Sequence, residues 1–458
     1  MTLPSIVVIG GGISGLTFAV TAVDELRSRG VDADVRVIES APQAGGHART
    51  LNESGFLVES GPNGFLDRDP EILALISELG LETQVIEASR EARRRFIVRD
   101  RRLVKVPDSP LSFLASDSLS LRGKMRLLRE PWAAPPPSGA EETVFEFAAR
   151  RIGPEAAETF VDTIVSGISG GDSHALSLRS QFPLLHEWEA KHGSLVKAAF
   201  KERKPGPRKR TRLLTLDRGL GALTSSLASR LGDRVIAGVA ARAVERGREG
   251  WRVDLSDGRA LTASRVVFAT SSQVAARLIT PCAPRLASAL SAIPCAGLAV
   301  VALAFPSWSV SHPLDGYGYL VPRSEHLATL GVLWESSIFP GRAPSRSVLL
   351  RIVLGGARRP DVPNLGEEDL VALARTELQS VMGVTAEPER RWVFRWPQAI
   401  SQYTVGHSGR LQAIAAALDE NPGLMVCGTA YHGVSFTDAV KSARSAAREL
   451  ATAFATRP

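Results

Sequence analysis

Ile6-Val7-Val8-Ile9-Gly10-Gly11-Gly12-Ile13-Ser14-Gly15-Leu16 is a short apolar, mostly β-branched run that breaks into a glycine-rich turn. The run reads as a buried parallel strand. Gly10, Gly12 and Gly15 match G-x-G-x-x-G, with one glycine for the turn, one for contact with a pyrophosphate and one for close helix packing. The following helix, expected to run to about Arg29, aims its N-terminal N–H groups at the diphosphate. A second strand, Val35-Arg36-Val37-Ile38, ends at Glu39, whose carboxylate can accept from ribose hydroxyls and repels a 2′-phosphate. This is a dinucleotide site in a doubly wound α/β unit. Beyond it, Gln43-Ala44-Gly45-Gly46-His47-Ala48-Arg49-Thr50 carries two adjacent glycines that let a loop lie flat against a cofactor, with Arg49 adding charge near phosphate.

At 458 residues the chain exceeds one core, so two or three domains are expected. A hydrophobic content of 44% and a charged content of 22% are ordinary for a globular enzyme. The net charge of +7 suits anionic partners, although solvated Lys and Arg faces account for much of it. Cys282, Cys295 and Cys427 form no CxxC, which argues against a disulfide framework or a zinc site. The early first strand predicts no targeting peptide and a cytoplasmic protein. Leu286–Leu314 lacks Asp, Glu, Lys and Arg, but Pro294 interrupts it. It reads as a helix end at Pro284–Ala292, a turn, and a buried strand over Leu298–Phe305, rather than a membrane span.

Farther along, the basic cluster Arg90–Arg95 runs into the short strand Phe96-Ile97-Val98. A mainly helical region begins at Pro107 and includes Leu119–Glu130, a basic amphipathic stretch able to lie on an anionic membrane or on a core. Pro135–Gly139 forms a stiff loop before a helix over Glu141–Arg151. Lys201–Arg212 holds seven basic residues around Pro205-Gly206-Pro207 and reads as a solvated loop, not a nucleic-acid site. Helical periodicity is expected over Leu214–Leu231, strands over Val235–Thr270 and much of 297–400, a helix over Glu367–Val381, and a final strand and helix after Gly423. The resulting division is 1–88, 210–292 and 405–458 for a discontinuous Rossmann-like cofactor domain; 89–104 and 293–404 for a strand-rich substrate domain; and 105–209 for a helical insertion.

Several blocks make the chain resemble the protoporphyrinogen/coproporphyrinogen oxidase family of the flavin amine oxidase superfamily, nearly end to end. They are the Gly45-Gly46 loop, Glu59-Ser60-Gly61-Pro62-Asn63-Gly64-Phe65, Ser166-Gly167-Ile168-Ser169-Gly170-Gly171-Asp172, Ser401-Gln402-Tyr403-Thr404-Val405-Gly406-His407 and Gly428-Thr429-Ala430-Tyr431-His432-Gly433-Val434. The resemblance implies one non-covalent FAD per chain. Its contacts would be Gly10, Gly11, Gly12, Ile13, Ser14, Gly15, Glu39, Ser40, Gly46, His47, Arg49, Gly61, Pro62, Asn63, Gly64, Ala241, Thr429, Val434, Ser435 and Phe436. For His47 a structural role stays open. A helix starting at Gly433-Val434 would face the pyrimidine end of the flavin. The family substrate is a large apolar tetrapyrrole bearing propionates, for which Arg95 would pair with a carboxylate. The Gly167 carbonyl would accept from pyrrole N–H groups, and Leu320, Leu333 and Val353 would sandwich the ring. The implied reaction is the six-electron oxidation of protoporphyrinogen IX by three O2, releasing three H2O2, the penultimate step of haem biosynthesis. The flavin does the chemistry, so no catalytic side chain and no metal site are expected. Peripheral contact with the inner face of the cytoplasmic membrane and a homodimer fit the same resemblance. Two departures stand out: Thr437-Asp438-Ala439-Val440 replaces Asn-Asp-Cys-Ile, and Ser169 replaces an aromatic, which would widen one end of the pocket.

The rival within the family acts on coproporphyrinogen III, whose four propionates call for more cations; Arg95 in its Arg-Arg-Arg-Phe block favours the two-propionate substrate. A flavin amine oxidase would carry an aromatic cage and a flavin-facing Lys, but residues 428–437 offer Tyr431, Phe436 and no Lys.

Overall fold

The computed structural model describes residues 3–107, 118–136, 139, 141–202 and 210–455. The segment just after Pro107, Pro137-Ser138 of the proline loop, and most of the Lys201–Arg212 run lie outside the described residues.

The cofactor region is built on a five-stranded parallel sheet in the order Val235–Ala237, Asp34–Glu39, Ser5–Ile9, Arg265–Phe268, Leu424–Val426. Its central strands are buried on both faces, which explains the uninterrupted apolar run Ile6–Ile9. One face is covered by helices Ile13–Ser28 and Phe436–Ala455, whose Leu16, Phe18, Val440 and Leu450 share a core. The other face packs on Trp251, Leu286 and Ile279.

The second body is a seven-stranded sheet ordered Arg390–Ser401, Cys295–Pro306, Ser347–Gly355, Thr329–Trp334, Gly318–Leu320, Phe96–Arg99, Arg102–Lys105. Cys295–Pro306 lies between Arg390–Ser401 and Ser347–Gly355, second from one edge, and most of its residues are buried. Among the described residues no helix is long and apolar enough to cross a membrane. One face of the sheet is sealed by helix Glu367–Met382, with Leu370, Ala374 and Leu378 on Val301, Leu303 and Ile352.

The insertion is helical. Helix Leu121–Leu128 is shorter than the Leu119–Glu130 stretch, because Ser120 caps it and Pro131 ends it in a 3₁₀ turn. Val144–Ile152 begins behind a Thr143/Glu146 capping box. Arg151 and Glu130 form a buried ion pair beneath these helices. Two elements differ from the sequence expectation. Leu213–Leu216 is a strand, paired with Phe65–Leu66 and Val85–Glu87, and the helix runs only over Gly221–Leu231. The last helix starts at Phe436, not at Gly433-Val434, because Ser435 and Asp438 cap it. The Asp438 N–H donates to Ser435 Oγ at 3.1 Å and the Ser435 N–H to Asp438 Oδ2 at 3.0 Å.

Candidate functional site

The glycine turn is held by contacts that only glycine allows. A Cβ on Gly15 would lie 1.9 Å from the Gly10 carbonyl oxygen, so the helix sits hard against the strand end. Gly12 precedes helix Ile13–Ser28 with no side-chain cap, which leaves N–H groups at the helix start for an anion. Gly11, the unassigned position of the fingerprint, has its own reason. Its N–H donates to Glu39 Oε2 at 2.7 Å, and a Cβ there would meet Glu39 Cβ at 2.8 Å. The Ala41 N–H binds Glu39 Oε1 at 2.7 Å, and the Ser40 hydroxyl donates to the same oxygen at 3.2 Å. A carboxylate offers about four acceptor sites, so Glu39 is fixed in place and still able to receive ribose hydroxyls.

The second glycine loop lies directly on the first. The Gly45 N–H donates to Gly11 O at 2.8 Å. Gly46 adopts φ +56°, and a Cβ on it would sit 3.0 Å from Gly12 Cα. Beyond it, the His47 carbonyl accepts from Ser60 Oγ at 3.0 Å, and the His47 ring meets Trp396 edge-on at 4.5 Å. Arg49 stacks over the same Trp396, 5.5 Å from the ring centroid. Desolvation deep in this groove, with the Arg49 charge beside it, brings the His47 imidazole down to about 4. Trp396 in turn donates to Ser60 O at 2.7 Å. The Gly61 and Gly64 backbones follow this contact: a Cβ on Gly61 would meet His47 O at 2.5 Å, and one on Gly64 would meet Leu214 O at 2.7 Å. Pro62 lies between Gly61 and Asn63 in the same turn. Ala241 starts the strand Ala241–Gly247, two residues after Val239, whose N–H binds Glu39 O at 3.0 Å. At the other end of the chain, Gly428 lies against Ser14, and Val434, Ser435 and Phe436 lead into the last helix. The glycine-lined backbone, open helix start and tethered carboxylate form a cradle that fits a dinucleotide.

The seven-stranded sheet supplies the neighbouring surface. Its register puts Leu320, Gly331, Val353 and Val300 in one cross-strand row, and Gly318, Leu333, Arg351 and Ala302 in the next. Rows two residues apart share a face, so Leu320, Leu333 and Val353 lie together opposite the face sealed by Glu367–Met382. All three are only half-buried. Trp396 belongs to this face too, through its pairing with Leu298. The cofactor loop therefore covers one end of the face, and the apolar rows occupy the rest.

Helix Thr163–Ser169 closes over those rows. A Cβ on Gly167 would lie 2.3 Å from Leu320 Cδ2. Ile164 and Ile168, three residues before and one after Gly167, are 44% and 65% exposed. The helix is tied to the sheet by charge. Asp162 is fully buried and pairs with Arg358 and Arg323, while Asp172 pairs with Arg323 just past strand Gly318–Leu320. The Asp162–Asp172–His174 cluster is thus neutralised by guanidinium groups and serves as a fastening.

Arg95 immediately precedes strand Phe96–Arg99, beside Gly318–Leu320. Its guanidinium lies 5.7 Å from the centroid of the Tyr317 ring, and its side chain is exposed. Arg94 pairs with Asp315.

The Gln-Tyr-x-x-Gly-His block has an architectural explanation. Gln402 Nε2 donates to Ser169 O at 3.0 Å, Tyr403 Oη to Thr429 O at 2.7 Å, and the Ser177 N–H to Tyr403 O at 2.8 Å. Gln402 and Tyr403 thereby join the insertion to the cofactor region. His407 stacks on Tyr403 at 4.0 Å, and neither ring nitrogen has a hydrogen-bond partner among the described residues. Burial, with Arg410 nearby, lowers its imidazole to about 4. The roles of Trp396, Tyr317, Glu335 and Arg351 are absent from the sequence reading, because a single Trp, Tyr or ion pair within a strand carries no local signal.

Comparison with known proteins agrees with this geometry. Residues 13–451 match the family described as flavin containing amine oxidoreductase. The chain is 32% identical to the coproporphyrinogen III oxidase of Propionibacterium freudenreichii subsp. freudenreichii, covering 97% of this chain and 90% of that protein. It is 30% identical to the chloroplastic protoporphyrinogen oxidase 1 of Arabidopsis thaliana, covering 97% and 87%. A solved structure from Exiguobacterium sp. 255-15 superimposes with a TM-score of 0.86 over 99% of this chain and 100% of that one, at 23% identity.

Proposed function

The chain belongs to the flavin containing amine oxidoreductase family, is related to both protoporphyrinogen and coproporphyrinogen oxidases, and uses FAD; on that premise we propose that it oxidises protoporphyrinogen IX to protoporphyrin IX. Six electrons leave the substrate, and three O2 become three H2O2. The observation that carries this reading is the sheet face where Leu320, Leu333 and Val353 lie under Gly167, beside the glycine cradle and with Arg95 at its edge. A flat apolar macrocycle with an anionic rim suits such an apolar face edged by a cation.

FAD supplies the chemistry when bound: it takes a hydride equivalent and returns the electrons to O2. The protein's part is positioning. Gly11–Gly15 and Glu39 would hold the pyrophosphate and ribose, and Gly61–Gly64 with Thr429 would border the flavin ring. Leu320, Leu333 and Val353 would exclude water and stack the macrocycle, and the Gly167 carbonyl would accept from pyrrole N–H groups. Arg95 would hold a propionate, with Tyr317 beneath its guanidinium.

Coproporphyrinogen III is the second reading, favoured by the likeness to the Propionibacterium enzyme. The purified flavoprotein, given each porphyrinogen in air with porphyrin fluorescence and peroxide followed together, decides between them. We expect about three H2O2 per porphyrin formed and a preference for protoporphyrinogen IX. A preference for the four-propionate compound selects the second reading, and turnover of neither refutes both.

We also propose that the insertion rests on an anionic membrane surface. Leu121, Leu128 and Trp132 are 78%, 58% and 79% exposed, next to Arg122, Lys124 and Arg129. Co-sedimentation with phosphatidylglycerol vesicles, lost in Leu128→Glu/Trp132→Glu, supports this; equal recovery of both proteins refutes it.

A further inference from the structure

Between the flavin-bordering loop and the apolar rows lies a buried charged pair, next to a second buried pair, Glu59–Arg342, whose Glu59 feels the Glu335 charge. Arg351 shares its cross-strand row with Leu333 and points at the cofactor side, where its Nη1 donates to the Gly61 carbonyl. Its Nε lies 2.7 Å from Glu335 Oε1, and the two side chains are only 5% and 2% exposed. Glu335 begins the short helix that follows Leu333-Trp334 and also receives Asn63 Nδ2 at 3.4 Å. Its second oxygen is buried without a hydrogen-bond partner among the described residues. The Tyr317 phenol feels the pair: burial and then the Glu335 carboxylate push it up, while the Arg351 charge acts the other way. Tyr317 packs beside Leu333 and lies beneath Arg95. Burying a charge pair costs several kcal/mol per ion. Packing alone would be served as well by apolar residues, like those elsewhere on these rows.

We propose that Glu335 and Arg351, with Asn63, are positioning residues that lock the Gly61–Asn63 loop onto the sheet beside Tyr317, the ring on which Arg95 rests, so that flavin and substrate carboxylate are held in register. The pair has a second consequence. Arg351 brings a cation to the loop along the flavin, and Glu335 cancels it. Removing either partner leaves the other charge uncompensated in a low-dielectric setting. Glu335→Gln then favours the electron-rich reduced flavin, and Arg351→Gln disfavours it. Tyr317→Leu removes the ring beneath Arg95 and leaves the charge pair in place.

Arg95's role in this proposal rests on the porphyrinogen reading, whereas the flavin measurements do not. The test uses the FAD-loaded enzyme and its flavin reduction potential without substrate. Glu335→Gln is expected to raise the potential and Arg351→Gln to lower it. Shifts in the same direction, or no shift in either, overturn the proposal, because a purely structural pair gives no opposed signs. Tyr317→Leu is expected to raise KM for the porphyrinogen by roughly two- to fivefold, the worth of one exposed cation–π contact, with kcat and flavin potential held. An unchanged KM in Tyr317→Leu overturns the link to Arg95, and this variant decides the matter if the charge variants do not fold. If no porphyrinogen is turned over, the function fails while the opposed potentials still judge the pair.

Discussion

Gly15→Ala isolates the contact on which the cofactor cradle depends. The new Cβ would lie 1.9 Å from Gly10 O, and real Cβ contacts stop near 3.0 Å, so helix and strand must part by at least 1.1 Å, the difference of the two. The opposing atom is a backbone carbonyl oxygen and a Cβ has no rotamer, so no side-chain rotation relieves the clash. Helix Ile13–Ser28 has to back away, carrying with it the N–H groups that would face the pyrophosphate. Hydrogen bonds of about 2.9 Å stretched by this amount are lost, and each charge-assisted one contributes about 1.5–3 kcal/mol. Losing two weakens FAD binding by about 3–6 kcal/mol, or roughly two to four decades in Kd. Flavin fluorescence quenching during titration of the apoprotein measures this directly, with far-ultraviolet circular dichroism to verify folding. A folded Gly15→Ala protein that binds FAD within about threefold of the parent would refute the reasoning.

Three further outcomes follow from the same geometry. Gly167→Ala presses a methyl towards Leu320, now 2.3 Å from that Cβ position, and should raise KM for the porphyrinogen with FAD affinity unchanged; substrate titration of the holoenzyme measures it. Glu130→Ala strips Arg151 of its main partner at 1% side-chain exposure, and denaturant melts are expected to show about 3–5 kcal/mol lost. For His407, the free value of 6.5 falls to about 4 on folding, so the unfolded chain binds more protons between those pH values. Its contribution is intact above pH 6.5 and is lost progressively towards pH 4, by up to about 3 kcal/mol. Melting temperature followed from pH 7 to 4.5 should therefore fall less steeply in His407→Phe, which keeps the stack on Tyr403.

The readable part of the fold is the part whose cause is local. A strand, a glycine turn and a helix start are consecutive in sequence, so Ile6–Leu16 declared itself. The strand Cys295–Pro306 did so too, because Pro294 splits the long uncharged stretch. Leu213–Leu216 did not, since Leu-Leu-Thr-Leu has no period-two alternation and its partners Phe65-Leu66 and Val85–Glu87 lie more than a hundred residues away. The last helix start was misplaced because Ser435-x-x-Asp438 is a cap signal that outranks the preceding glycine. At the site, Leu320, Leu333 and Val353 came from resemblance alone; only the sheet register reveals that they share a face. Trp396 and the Glu335–Arg351 pair left no trace in the sequence, since their meaning arises from residues hundreds of positions apart coming into contact.

The cofactor sheet interleaves strands from both ends of the chain and from its middle, and helix Ile13–Ser28 is roofed by Phe436–Ala455. During synthesis the earliest helix thus waits for the latest one. At ribosomal speeds of about 5–20 residues per second, the oily flank carrying Leu16 and Phe18 stays uncovered for roughly 20 to 90 seconds. FAD loading is consequently a late event, completed only after the ribosome has released the C-terminal helix. A chain truncated before Phe436 is expected to leave the cradle's helix uncovered and to lose FAD affinity, which flavin titration of the truncated protein measures.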